Sequence, residues 1–419
     1  MNVWIDILHM PQFNFYKPFI TTLSKQGHRV YITALGRGKL PAIVKKELNG
    51  MENVSVSIIG KHRMTRWSAI IEANLIRIVW LFFWACGKKI NIAYSNGSHV
   101  GMIGRLFHFP AYEFEDDPQA ADYNLMCRFA TQNHSMLYEL PEGYTLNPKD
   151  KLLKCLKEWA YLNPRTFVPK VEVLERYGVK PKEYMFLREV SVGTINYTGQ
   201  KSGAILGIKD LIPKGMKVLL SLEEKKRRNE YPEDWILLQE PIEDIHSLIY
   251  YAAGLVSSGD SMAREAALLG VPAYYLGIRY TMPANKAASK VAGLQNRRTM
   301  EFSAWVNALV LPIEKNKENT EESSDIENIS TVTAPQSACM QASRQTDDPF
   351  RSTDIVAQSL SDDSSAKIPK IIASADARTE VLLRRQQALR EHIDAEFIDI
   401  NGYMMNLIEK NNKNNFNNN

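Results

Sequence analysis

Apolar residues recur along the first half of the chain in two alternating rhythms. NVWIDIL (Asn2 to Leu8), RVYITAL (Arg29 to Leu35), VSVSIIG (Val54 to Gly60) and INIAYSN (Ile90 to Asn96) are short runs rich in branched side chains, and each predicts a strand. Between them, apolar positions three or four apart predict helices. One is FYKPFITTLSKQG, ending at Gly27 after a loop that holds His9 to Asn14, and another starts near Ser98. A further strand is predicted at PAYEFED, Pro110 to Asp116. Strands that alternate with helices imply a parallel sheet.

Around Asn163 to Pro169 the pattern becomes loop-like, with Pro164 and Pro169, and this predicts a boundary between domains at 1–165 and 166–313. The grammar then repeats. EYMFLREV, MKVLLSL (Met216 to Leu222), WILLQEP (Trp235 to Pro241), AGLVSSG (Ala253 to Gly259) and PAYYLG read as strands. Helices are expected before Pro213, over Asp244 to Ala253 and from Ser261 to Leu269. Residues 314–370 are dominated by Ser, Thr, Asp, Glu, Asn and Gln, a composition that buries too little apolar surface to offset ordering entropy, and a disordered insertion is expected there. Helical periodicity returns in 371–410, and the Asn-rich 411–419 reads as a disordered tail. The fold expected is α/β: two Rossmann-like, doubly wound domains with a cleft between them and a C-terminal helix, the ligand lying beyond the carboxyl ends of the strands.

Composition narrows the function. A formal net charge of +4 over 419 residues gives little reason to expect a nucleic-acid partner. Cys86, Cys127, Cys155 and Cys339 show no metal-ligand spacing and read as structural thiols in a reducing compartment. The N-terminus has no basic n-region and carries Asp6 within its apolar stretch, so it reads as a strand of a cytoplasmic protein. IVWLFFWAC (Ile78 to Cys86), flanked by basic residues, is far shorter than the roughly 20 residues a membrane span needs. It is either a buried crossover helix or a helix that shows aromatics to a lipid surface at the inner face of the membrane.

The candidate chemistry centres on SSGDSMAREAALLGVPAYYLG, Ser257 to Gly277: a strand end, a tight turn and a helix N-terminus. Backbone N–H groups of Gly259 to Met262, with the Ser261 hydroxyl, would meet a phosphate at the positive end of the helix dipole. Glu265, one turn on, could accept two hydrogen bonds from a ribose diol; alternatively Ser258 or Asp260 merely caps the helix. His9, at the end of the first strand, could act as general base or simply bond backbone. His99, after Gly97 and Ser98, is open to the same two readings and could also bind phosphate. In EFEDD, Glu113 to Asp117, Glu115 or Asp116 could supply a cleft acid. No metal site is expected.

The run from Ser258 to Pro272 resembles the nucleotide-sugar signature of GT-B glycosyltransferases and UDP-N-acetylglucosamine 2-epimerases, and more closely domain-of-unknown-function family 354, a GT-B-like group. Trp4 to Val30, Ser95 to Asp117 and Glu243 to Val256 support it, and the likeness covers roughly residues 1–277. The resemblance implies a donor nucleotide in the second domain, with Glu265 on the ribose and Gly259 to Ser261 on phosphate. Arg188 fits the pattern. Gln12 and Asn14 stand where the family has further histidines, and SVGTINYTGQ lacks its His-Asp. The leading expectation is a metal-independent glycosyltransferase that takes a nucleotide sugar, a UDP-sugar first, and a saccharide or lipid-linked acceptor in surface-polysaccharide or glycolipid synthesis. A 2-epimerase is the alternative, but Ser98 stands where those enzymes carry an acid. The lost histidines also leave room for a non-catalytic sugar-nucleotide-binding protein.

Overall fold

A computed structural model describes residues 1–61, 71–117, 123–192, 197, 199–239, 242, 244–309 and 377–417. The expected insertion at 314–370 and Cys339 lie outside these residues. Among the described residues, thirteen strands form two all-parallel sheets. The first contains β1 (Asn2–Ile7), β2 (Arg29–Gly36), β3 (Val54–Lys61), β4 (Ile92–Ser95), β5 (Ala111–Glu115), β6 (Gln132–Met136) and β7 (Asp150–Leu153) in the order β3-β2-β1-β4-β5-β6-β7. The second contains β8 (Tyr184–Glu189), β9 (Lys217–Leu222), β10 (Ile236–Leu237), β11 (Gly254–Ser257), β12 (Ala273–Tyr275) and β13 (Gln295–Asn296) in the order β10-β9-β8-β11-β12-β13. In both, the order reverses between the first and fourth strands, which opens a crevice above β1/β4 and above β8/β11. The doubly wound α/β architecture read from the sequence is the one observed.

Helices cover both faces of the first sheet. α1 (Met10–Lys25) and α2 (Leu40–Leu48) connect β1, β2 and β3. α3, a π turn over Glu72–Ile76 that continues as a regular helix over Arg77–Ala85, leads to β4, and α4 (His99–Phe107) and α5 (Tyr123–Phe129) lead to β5 and β6. The short α6 (Trp159–Leu162) carries the chain to the second sheet, which is flanked by α7 (Ile245–Tyr251), α8 (Asp260–Leu268) and α9 (Pro283–Ala292). Two C-terminal helices follow, α10 (Ala377–Glu396) and α11 (Ile400–Asn417). Helix α11 therefore continues through most of the Asn-rich stretch expected to be a disordered tail.

One expectation at the first turn needs correcting. The chain does not loop from His9 to Asn14: α1 starts at Met10, with Pro11 in its first turn. Proline there has no intrahelical N–H to lose and its φ is already helical, so it starts the helix rather than delaying it. Gln12 is buried as a result. Its Oε1 accepts the Leu8 N–H at 2.7 Å and its Nε2 reaches Asn96 O at 3.4 Å, which ties the end of β1 to the end of β4.

Both halves share one apolar core running from Val3 through Trp159 and Leu255 to Ile408, and the C-terminal helices are part of it. α10 docks through Gln386, whose Nε2 donates to Tyr250 O and Leu269 O while its Oε1 accepts from the buried Lys182 Nζ. Arg390, also buried, holds Leu162 O and Phe167 O at the crossing between sheets. α11 returns to the first sheet, where Met404 O accepts the Tyr94 hydroxyl and Tyr403 meets His134 Nε2 at 3.1 Å.

Candidate active site

The same small device ends the fourth strand of each sheet. After β4, the Ser95 hydroxyl accepts the Gly97 N–H at 3.0 Å and donates to Gly97 O at 3.1 Å. After β11, Ser257 does the same to Gly259, at 2.9 and 2.7 Å. In both cases a serine side chain closes a three-residue turn that feeds a helix N-terminus. These turns sit at the two reversal points, where doubly wound sheets take ligands.

Their backbone donors are less free than the sequence suggests. Gly97 N–H also faces Glu113 Oε2 at 3.2 Å, and Gly101 N–H donates to Glu113 Oε1 at 3.1 Å, so a buried carboxylate already satisfies the start of α4. The Gly97 and Gly101 N–H groups are thus already taken, and His99, for which phosphate binding was considered, is buried beside this cap. At α8, the Gly259 N–H is spent on Ser257, which removes it from the set of outward donors expected over Gly259 to Met262. Ser258 is buried: its hydroxyl accepts the Val190 N–H at 2.9 Å and its carbonyl accepts from Gln200 Nε2 at 2.9 Å. A Cβ on Gly259 would lie 2.6 Å from a Val190 methyl, so only glycine fits beneath the segment after β8. Ser261 and Met262 remain partly exposed.

Across the cleft the acids of EFEDD part company. Glu113 turns inward, as above. Glu115 folds onto its own loop, accepting the Asp116 and Asp117 N–H groups at 2.8 and 2.9 Å; burial, then the charge of Asp116, pushes its carboxyl well above the usual range. Asp116 pairs with Lys157 Nζ at 2.5 Å. Burial would raise Asp116, but Lys157 and Arg264 outweigh it and hold the group ionised well below its usual value. Asp117 meets the Arg279 guanidinium at 3.3 Å. The cluster thus divides into one acid held by its own backbone, one buried ion pair and one bridge to the other half.

That bridge belongs to a network the sequence did not announce. Arg264, fully buried on α8, pairs with Glu158 at 2.9 Å and Asp260 at 3.3 Å, and donates to Asn285 Oδ1 at 2.7 Å. Arg279, after β12, touches Asp260 and Asp117, each at 3.3 Å, and so spans the cleft. Burial would raise Asp260, yet Arg264 and Arg279 keep it ionised and depressed. Lys157, Arg264 and Arg279 are single basic residues within unremarkable stretches; only their convergence gives them meaning, and no spacing in the chain signals it.

The remaining candidates fall around this centre. His9 caps α1 in an extended conformation; burial, followed by the charges of Lys157 and Arg37, holds its imidazole down at about 3, hence neutral at physiological pH. Glu265 is buried. Tyr161 donates to its Oε1 at 2.6 Å and His246 Nε2 stands 3.5 Å from its Oε2. Burial would raise it, but His246 and these bonds lower it. The Arg188 guanidinium donates to Ser221 at 2.6 Å and pairs with Glu223. The structure therefore gathers His9, Asp116 and Asp260 near Lys157 and places Glu265 on the next turn of α8, while the Arg188 carbonyl accepts the Ser258 N–H at 2.9 Å. Among the described residues, no group of three or more His, Cys, Asp or Glu is placed to hold a metal.

No family model matches the chain, and no curated protein matches it. Solved structures do share its architecture. A glycosyltransferase of kitacinnamycin superposes with TM-score 0.56 at 9% identity, covering 98% of both chains. A putative UDP-N-acetylglucosamine 2-epimerase from Listeria monocytogenes gives 0.54 at 14% identity, over 76% of this chain and 89% of its own. The UDP-GlcNAc 2-epimerase from Neisseria meningitidis, bound to UDP-GlcNAc, gives 0.51 at 13%, over 77% and 93%. At such identities the likeness establishes the fold, which is the GT-B type.

Proposed function

We propose that this protein is a metal-independent GT-B glycosyltransferase that takes a nucleotide sugar, a UDP-sugar first, and passes the sugar to a saccharide or lipid-linked acceptor. The observation that carries the reading is the Ser257–Gly259 turn that opens α8 at the reversal point of the second sheet, with the partly exposed Arg279 at its edge, in a fold whose solved neighbours include a structure bound to UDP-GlcNAc. A leaving diphosphate is stabilised by fixed dipoles and cations where charge develops. Ser261 and Met262 at the exposed start of α8 serve the phosphates, together with Arg279, and Glu265 Oε2 serves the ribose. His9 takes the proton of the acceptor hydroxyl, a role that requires the bound substrates to lift its imidazole from about 3 toward neutral pH.

The epimerase alternative has less support. Ser98 is buried at the start of α4, and the acids that could replace the missing base are committed, Glu115 to its own backbone and Asp116 to Lys157. Within the GT-B group, the MAREAALLG signature keeps family 354 as the proposed affiliation. Calorimetric titration with UDP, GDP, CMP and their sugar conjugates tests the reading. One nucleotide should bind, and Glu265→Gln should weaken it at least tenfold, about 1.4 kcal/mol. Absence of binding to every nucleotide would overturn the proposal.

A further inference from the structure

We propose that the outward face of α3, continued by the end of α4, docks the protein laterally onto a membrane surface that carries anionic lipid. Helix α3 has the reverse of the usual surface pattern, with its charge inside and its apolar side chains outside. Arg77 is buried, its two terminal nitrogens on the Asp6 carboxylate at 3.0 and 2.6 Å, and Leu81 and Ala85 lie beneath the helix. The outward positions carry Leu75, Ile76, Val79, Trp80 and Phe83, with Leu75 and Trp80 each 61% exposed and Phe83 62%. Leu106, 59% exposed near the end of α4, extends the patch, and Phe82 against Phe107, ring centroids 5.3 Å apart, joins the two helices. A contiguous apolar surface of this kind marks a place of contact rather than a solvated face.

Charge identifies the occupant. From Asn53 to Tyr112 the chain contains seven Lys or Arg and a single acid, Glu72. That acid is buried and accepts the Lys61 N–H at 2.9 Å. Lys88 and Lys89 follow the end of α3, Lys88 with its Nζ over the Trp84 ring at 4.5 Å, and Arg105 stands exposed beside Leu106. An apolar centre with a one-sided basic rim matches the acyl boundary and headgroups of an anionic leaflet. It does not match a second copy of the same face, because a two-fold contact would bring these basic residues together, and Glu72, the one acid of this stretch, is buried. Among the described residues no helix is long and apolar enough to cross a membrane, so the contact is lateral. The inference does not depend on the nucleotide-sugar reading.

Co-sedimentation of the full-length protein with vesicles tests it, using phosphatidylcholine alone and equal parts phosphatidylcholine and phosphatidylglycerol, at low and high salt. The protein should pellet with the anionic vesicles at low salt, less at high salt, and stay in solution with phosphatidylcholine alone. Trp80→Ser/Phe83→Ser should lower the apparent partition at least roughly tenfold. Lys88→Glu/Lys89→Glu should abolish the preference for phosphatidylglycerol. Trp80, Phe83 and Lys89 are exposed and Lys88 is half-buried with its Nζ on Trp84 O, and unchanged thermal melting confirms that both variants fold. If the wild-type protein pellets with neither vesicle, the proposal is wrong. It is equally wrong if sedimentation velocity shows a wild-type dimer that Trp80→Ser/Phe83→Ser dissolves, since a second copy then covers the face.

Discussion

Arg264, fully buried on α8, compensates Glu158 and Asp260 directly and helps hold Asp116 ionised from 3.8 Å. Removing one partner from a buried ion pair leaves uncompensated charge and typically costs about 3–5 kcal/mol. Arg264→Met should therefore destabilise the protein by about that amount at pH 7, measured by urea unfolding. The pH dependence follows from the signs. In the wild type the folded-state values of Asp116, Asp260 and Glu265 are depressed, so their contribution is present above the unfolded carboxylate range and is lost as pH falls below about 4. Without Arg264 the values of Asp116 and Asp260 rise, protonation becomes favourable in the folded state, and the deficit should narrow as pH falls from 7 toward 4.5. A deficit that stays constant over that range would show that lost packing, not charge, is what the substitution costs.

At the scale of elements, the sequence was legible wherever a hydrophobic period was long or a turn had its own chemistry. β1 to β5, β8, β9 and the α8 start follow directly from apolar runs and from Ser-x-Gly turns. The strands passed over were β6, β7 and β13. QNHSM and DKLL hold few apolar residues, because β6 buries Asn133, His134 and Ser135, polar groups that only long-range partners make tolerable. Helix α3 was legible as a helix, but whether it was buried was not, because that depends on the Asp6–Arg77 pair, 71 residues apart in sequence. In the candidate site the α8 turn could be read from its own residues, whereas Lys157, Arg279 and Tyr161 come from separate elements that share no pattern. Gly270 offers a test of the docking of α10. It sits at φ +75°, and a Cβ there would lie 2.9 Å from the Gln386 carbonyl oxygen and 3.1 Å from its Cα. Gly270→Ala should cost about 1 kcal/mol in backbone strain alone, and more because α10 must retreat. Hydrogen exchange should show faster opening across 377–396 while β1 to β4 keep their protection. Equal protection everywhere would mean that the helix absorbs the methyl without moving.

At the scale of the molecule, two sheets that each resemble an independent domain behave as one unit because the chain doubles back. α11 starts where α10 leaves the second half and lays Ile400, Met404, Leu407 and Ile408 into the common core. Each such side chain contributes about 1.5–3 kcal/mol when fully buried. Polar ties accompany them: Tyr94 to Met404 O, His134 to Tyr403 and Asn411 to Asn91 O, all onto the first sheet. Arg279 to Asp117 and Arg264 to Glu158 bridge the cleft from the other side. Scanning calorimetry of the full chain should then show a single cooperative transition. Truncation after Glu396 exposes the underside of α1 and the rings around Tyr94, and it removes the return strap without touching β8 to β13. The transition should split, the first sheet melting at the lower temperature and the second near its original value. A truncated chain that still melts once, at an unchanged temperature, would show that the cleft salt bridges and the shared core at Trp159 and Leu162 couple the halves without α11.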